Sequence, residues 1–196
     1  MSEPAREPIT MSLARWRAGE SDALEHLLPL VYDELRQVAR RQLSREPPAN
    51  TLSATTLVHE VYLRLLQQRQ IVAADRDSFL AIAAQVMRRI LVDHARRRKR
   101  LKRGGTGQPI SLDAEPEPAL LSDLEVEEVL ILEAALARLA ALDERAARIV
   151  ECRIFVGLTL EETATAVGTS VKTVQRTWTT ARAWLRKEIA GGSRLV

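Results

Sequence analysis

The chain reads as an all-α protein: two small helical domains joined by a flexible acidic linker, the C-terminal one a helix-turn-helix. Three observations carry that expectation. Apolar residues recur at three- and four-residue spacings along most of the chain, and an aromatic content of 4% with few β-branched runs favours helices over strands. The stretch 104–122 breaks this periodicity with Gly104, Gly105, Gly107 and three prolines, among the acids Asp113, Glu115 and Glu117. Finally, residues 159–187, TLEETATAVGTSVKTVQRTWTTARAWLRK, divide at Gly168 into two short amphipathic helices.

Taken in order, Leu24, Leu27, Leu28, Val31, Leu35 and Val38 predict a helix over 22–45, with Pro29 either kinking it or starting a second one. REPPANT (45–51) is a break. Ser53 or Thr55 caps the next helix, which runs to about Gln68 with Leu57, Val58, Val61 and Leu65 inward, and a polar loop fills 69–77. Asp77 or Ser78 opens a long helix whose core face is Phe79, Ile82, Ala83, Val86 and Ile90. It runs on into Ala95–Arg103, a basic stretch that repels itself yet suits the negative end of a helix dipole. The 104–122 segment is long for a connection inside one domain, so it marks a linker between residues 10–103 and residues 123–190. Helices resume near Asp123, break at 141–143 and run again to Phe155.

In the last segment, Thr159 and Glu162 form a capping box, and Leu160, Ala164 and Val167 make one stripe. Gly168 can take the left-handed conformation that ends a helix. Ser170 caps the next helix, where Val174, Trp178, Ala181 and Leu185 form a second stripe. Lys172, Thr173, Gln175, Arg176, Thr179 and Thr180 fall largely away from it. A plain helical hairpin with a solvated face would show the same stripes. The acid-poor composition favours a DNA-reading helix instead: from residue 170 onward Lys172, Arg176, Arg182, Arg186, Lys187 and Arg194 face only Glu188.

Charge is segregated along the chain. Residues 1–103 hold 19 basic and 12 acidic side chains, net +7; residues 104–169 hold 4 and 13, net −9; residues 170–196 hold 6 and 1, net +5. Two basic regions separated by an acidic one are the footprint of a phosphate-binding protein. The run Arg96–Arg103 could be a solvated cluster or a localisation or membrane-surface patch, but phosphate contact fits best, because a packed helix presents it at a fixed place. No apolar run approaches the roughly 18 residues that cross a membrane, and MSEPAREPIT lacks the basic-then-apolar pattern of a signal peptide. The single Cys152 excludes an internal disulfide, fits a reducing cytoplasm and, beside Ile149, Val150 and Ile154, reads as a buried thiol. No cofactor is expected. His59-Glu60 lacks the second histidine of a zinc helix because Leu63 stands there, and Gly104–Gly107 lacks the lysine and helix that cradle a nucleotide. Nothing points to catalysis.

With both halves read, the chain resembles the extracytoplasmic-function class of bacterial sigma-70 factors. LVHEVYLRL (57–65) is similar to that family's segment D-L-V-Q-E-V-F-L-R-L, which docks on the β′ clamp helices of RNA polymerase. Ser78-Phe79 through Ile90 and VDHARRR (92–98) are similar to the helix that recognises and melts the −10 promoter element. LTLEETA (158–164) through Trp178 and Arg182 resembles the helix-turn-helix that reads the −35 element. The three stretches occur in the family's order over roughly residues 20–190.

The resemblance implies a set of site residues. Thr56, Leu57, His59, Glu60 and Leu63 would bind core polymerase. The loop Val72, Ala73, Ala74, Asp75 and Arg76, with Arg89 and Asp93, would hold flipped −10 bases, and Arg96, Arg97, Arg98 and Arg100 would grip adjacent phosphates. Ser170, Lys172, Thr173, Gln175, Arg176, Thr179, Thr180 and Arg182 would meet the −35 duplex. Lys172, Gln175 and Arg176 are the best base-edge candidates, since Arg or Lys suits guanine and Gln suits adenine. Thr56 stands where relatives carry an acid, His59 where they carry glutamine, Arg89 where asparagine is frequent, Ala81-Ile82 where an aromatic follows Phe79, and Thr180 where an arginine is common. The expected partners are core RNA polymerase, through its β′ clamp helices and β flap, double-stranded and melted promoter DNA, and an anti-sigma factor as a further candidate. A stand-alone helix-turn-helix regulator is the alternative; a metal hydrolase built on His59-Glu60 and an RNA-binding basic protein fit less well.

Overall fold

The computed structural model describes residues 6–20, 22–43, 51–67, 73–102 and 123–192, and every regular element among them is helical. The expected break at 45–50, the loop residue Val72 and the linker 104–122 lie outside the described residues.

The chain begins with a helix that the sequence analysis passed over, α1 (Arg6–Arg17). Its signal was nevertheless present: Ile9, Leu13 and Trp16 recur at helical spacing, and all three are buried. In α2 (Ala23–Gln42), Leu24, Leu27, Val31, Leu35 and Val38 face the core. Pro29 lies within α2 and does not end it. A mid-helix proline removes one backbone hydrogen bond and costs about 3 kcal/mol. Buried side chains on both sides of it hold the helix on its neighbours, and Pro29 itself is exposed to water.

Helix α3 (Thr51–Gln67) starts two residues before Ser53 and buries Leu57, Val58, Val61 and Leu65 as expected. Helix α4 (Arg76–Lys102) starts earlier than Asp77 or Ser78, because Asp75 supplies the cap: its Oδ1 accepts from the Ser78 amide at 2.8 Å. Of the expected core face, Phe79, Ala83, Val86 and Ile90 are buried and Ile82 is half-buried against them, with Phe79 edge-on to Trp16 at 6.2 Å. Leu80, Ala84, Met87 and Leu91 are buried as well, so α4 is covered nearly all round. That is the signature of a central helix, not of one lying on a domain surface.

What covers the second side of α4 is the C-terminal half. It comprises α5 (Asp123–Leu142), α6 (Glu144–Glu151) with a π-helical turn Cys152–Val156 continuing it, α7 (Leu160–Val167) and α8 (Val171–Gly192). The expected break at 141–143 is the cap of α6, where the Asp143 side chain accepts from the Ala146 amide at 2.9 Å. α5, α7 and the π turn pack on α4, and α2 also reaches the π turn. Buried residues of both halves therefore form one continuous core, from Leu27 and Met87 to Leu136 and Phe155.

A second, smaller core of Ile149, Ala164 and Val174, flanked by Leu160, Val167 and Trp178, holds α6, α7 and α8 together. Cys152 is buried where α6 passes into the π turn. Burial, reinforced by the neighbouring Glu151 charge, pushes its thiol up to about 12.

Candidate nucleic-acid interface

The turn between α7 and α8 is built as its residues dictate. Thr159 Oγ1 accepts from the Glu162 amide at 3.1 Å, and the Glu162 carboxylate accepts from the Thr159 amide at 2.8 Å, so both arms of the capping box are made. Gly168 ends α7 with φ +67°, a conformation glycine adopts without penalty. Ser170 then caps α8, its Oγ accepting from the Thr173 amide at 3.2 Å and lying 2.9 Å from the Thr173 hydroxyl. These local bonds set the angle at which α8 leaves the turn.

On α8, Ser170, Lys172, Gln175, Arg176, Thr179, Thr180 and Arg182 are exposed and Thr173 is half-buried. Thr179 and Thr180 donate back to the carbonyls of Gln175 and Arg176, at 2.9 and 3.3 Å. Arg182 lies over the Trp178 ring at 5.9 Å and Arg153 at 5.6 Å, so two guanidinium groups brace the indole. Arg153 also donates to the Leu158 carbonyl, tying the π turn to the entrance of α7.

An open groove runs between α6 and the first turns of α8, lined by Arg145, Arg148, Thr173, Arg176 and Thr177 together with Val167 and the acids Asp143 and Glu144. Arg145 and Arg148 are residues the sequence analysis missed. They belong to the acidic middle of the chain, and nothing in their local spacing ties them to α8. Only the packing of α6 on α8 brings them beside Arg176.

The melting-helix residues divide into two groups. Ala74, Arg89, Asp93, Arg96, Arg97 and Arg100 are exposed and Arg98 is half-buried. Asp93 pairs with Arg64 of α3 at 3.2 Å. Asp75 is spent on capping α4. Ala73 is buried at 1% exposure and packs in the core. Arg76 is also turned inward: its guanidinium grips Glu34 at 2.5 Å and Asp77 at 2.6 Å and lies 3.9 Å from Glu162. Its pKa is raised because these carboxylates outweigh the opposing effect of burial, whereas burial raises that of Asp77 despite Arg76 beside it.

On α3, His59 and Leu63 are exposed, Leu66 extends the same stripe one turn further, and Thr56 and Glu60 are half-buried. Leu57 is fully buried, so it supports this surface from within instead of forming part of it.

The chain matches a protein-family model. The model described as ECF sigma factor matches residues 6–191. No curated protein matches the chain. Sigma factors of this kind act in transcription initiation, bind DNA and are not enzymes, and no described helix is long and apolar enough to cross a membrane. With the match spanning nearly every residue from α1 to the end of α8, the chain belongs to the ECF sigma factor family.

Proposed function

We propose that this protein is a promoter-specificity subunit that binds core RNA polymerase in the cytoplasm and directs it to promoters with two separate readers. The observation that carries the reading is α8: a helix capped at Ser170, braced at Trp178, and exposing Lys172, Gln175 and Arg176 together on one rigid element. Helices presented in this way suit the major groove, where Arg or Lys distinguishes guanine and Gln distinguishes adenine. Arg145 and Arg148 flank Arg176 in the same groove and are proposed to hold the adjacent phosphates, which position the reader without carrying sequence information.

On α4, Arg89 is the base-facing residue of the −10 reader, and Arg96, Arg97, Arg98 and Arg100 are its phosphate grip. Ala74 and Asp75 form one rim of that reader, whereas Asp93 stands about 27 Å further along the axis of α4 and does not share a pocket with them; the burial of Ala73 and the carboxylate partners of Arg76 keep those two in supporting roles. His59 and Leu63, with Leu66, Thr56 and Glu60 around them, make the polymerase-docking patch on α3. The β′ clamp helices are its proposed partner, the β flap is proposed to meet the C-terminal half, and an anti-sigma factor would act on these same surfaces.

The deciding experiment is reconstitution. The purified protein should form a one-to-one complex with core polymerase and support transcription from a promoter mapped after overexpression. A pull-down that recovers no polymerase even at low salt overturns the reading. DNA binding by the isolated protein that is unaffected by polymerase would favour a stand-alone regulator.

A further inference from the structure

We propose that Arg153, in the π turn that leads into the helix-turn-helix, is a positioning residue for DNA reading by α8: through the Trp178 ring it fixes the roll of that helix and holds Arg182 ready for a backbone phosphate. This role rests on the promoter-reading function above. It adds two residues that lie off the reading face, since Trp178 belongs to the apolar stripe of α8 and Arg153 to the acidic middle of the chain.

Arg153 is a half-buried cation without a counter-charge. Arg76 and Arg88, also half-buried, each grip two carboxylates. Arg153 pairs with no carboxylate among the described residues. Its Nη1 donates to the Leu158 carbonyl, its Cζ lies 5.6 Å from the centre of the Trp178 ring, and its Nε is buried with no hydrogen-bond partner. Holding a charge on those terms costs stability, and an apolar side chain of similar length would fill the space without that cost. A group that opposes folding where it stands points to a role in function.

The contacts of Arg153 fall on both helices of the reader. Leu158 precedes Thr159, the N-cap of α7, and Trp178 lies within α8. The π turn fixes the arginine between them, because the Cys152 carbonyl accepts from the amides of Gly157 and Leu158 at 3.0 and 3.1 Å and so closes the turn. Trp178 shares one rigid helix with Lys172, Gln175 and Arg176. Side-chain tips stand about 5–6 Å from a helix axis, so a roll of about 10° moves them by about 1 Å. A bidentate base contact does not survive such a shift, since its donor–acceptor distances span only about 2.7–3.2 Å.

Arg182 stands one turn beyond Trp178, exposed, with its Cζ 5.9 Å from the ring centre and no ion pair among the described residues. A guanidinium lying on an aromatic face keeps its charge and its donors while its stem is already ordered, so less freedom is lost when it meets a phosphate. Both cations therefore depend on one indole. A cation–π contact at an exposed site is worth about a two- to fivefold change in an equilibrium constant, which sets the size of the effects to look for.

The test compares variants of the full chain in holoenzyme reconstituted with core polymerase, on the promoter mapped after overexpression and on a random-sequence duplex of equal length. Arg153→Met should weaken random-duplex binding about threefold and promoter binding about tenfold, the excess being lost base reading. Arg153→Gln, which can still donate to Leu158 but carries no charge, should lose about as much. Arg182→Ala should weaken both duplexes evenly, by about threefold, and lower the salt slope by about one. In a Trp178→Leu background, Arg153→Met should cost less than about twofold more. Thr159→Ala loosens the same pair of helices away from the ring and should leave the ratio of promoter to random binding within about twofold of wild type. If Arg153→Met unfolds the helix-turn-helix, as circular dichroism would reveal, Arg153→Gln carries the same test. An unchanged ratio in the Arg153 variants, or an equal fall in Thr159→Ala, overturns the positioning role while promoter reading stands. If the wild type forms no holoenzyme, the promoter-reading function falls and the full chain alone is compared on the random duplex. There a threefold loss in Arg153→Met that vanishes in the Trp178→Leu background keeps the positioning role, and its absence ends it.

Discussion

Helices α4 and α8 carry the same chemistry and use it in opposite ways. Arg88 of α4 is 18% exposed and bridges two glutamates from across the molecule. Arg176 of α8 stands exposed beside Lys172 and Gln175. The first arginine is held within the fold, and the second is displayed to solvent. The difference does not come from the helices themselves, since both are basic and both are capped by a side chain at the N-terminus. It comes from what packs behind each. α8 is supported along one stripe, by the small core of Ile149, Ala164 and Val174 and, through Ala181 and Leu185, by the main core, whereas α4 is sandwiched and must neutralise the charge it buries. A cation's role in this protein is therefore set by its burial more than by its position in a basic run.

That contrast can be attacked from either side. The largest effect is expected from Ile149→Ala, which leaves a cavity beneath the reader and should cost about 3 kcal/mol, read as a lowered denaturation midpoint. Hydrogen exchange should place the loss in α7 and α8 and spare α2 and α3; a uniform loss would show that α8 has no support of its own. Arg88→Ala attacks the other side. It leaves Glu133 and Glu151 facing each other without a cation, and should cost about 2 kcal/mol after discounting for partial exposure. Arg176→Ala should leave the denaturation midpoint unchanged and instead alter sequence preference in a binding selection. Equal destabilisation by these two substitutions would abolish the distinction.

Smaller changes sharpen it. Gly157→Ala forces a side chain into positive φ and displaces Arg41 from the Val156 carbonyl, a loss of about 1.5 kcal/mol by thermal unfolding. Thr159→Ala removes the cap of α7 and should cost about 1 kcal/mol, confined to the helix-turn-helix. The least perturbing probe is Cys152, which adjoins Arg88 and Glu151 in the cleft between the halves. With its thiol pushed up to about 12 by burial, it should react with a disulfide reagent at neutral pH only as fast as local opening exposes it. The raised value also has a sign: the stabilisation of the neutral thiol is complete below the ordinary thiol range, near 9, and is lost as pH rises toward 12. Rapid reaction in the folded wild type would contradict the burial of Cys152.

Much of the architecture was legible because it is local. The capping box at Thr159 and Glu162, the left-handed Gly168 and the Ser170 cap each depend on residues within four positions, and all three take the predicted form. α1 was equally legible through Ile9, Leu13 and Trp16 and was overlooked because the N-terminus was read only for targeting signals. At Pro29 the alternative of a second helix falls away, since the local penalty is outweighed by burial along the rest of α2. The site residues follow the same rule. Lys172, Gln175 and Arg176 were identifiable by their position opposite an apolar stripe, whereas Arg145, Arg148 and Leu66 gave no comparable sign. Leu57 of the first resembling segment and Ala73 and Arg76 of the loop before the second turn inward, because a motif specifies which residues matter without specifying which way each one faces.

The amino-acid order alone thus settled the helical class, the caps, the pair of short helices joined at Gly168 and the segregation of charge into basic, acidic and basic stretches, all properties of neighbours in the chain. It could not settle that the acidic stretch folds back on the first basic one. Lys99 meets Glu127 across 28 residues, Arg88 meets Glu133 across 45 and Glu151 across 63. Contacts at such separations leave no periodic trace in the sequence. They exist because α4 has two apolar faces to cover, and covering the second brings opposite charges together in a setting where leaving either unpaired would be costly.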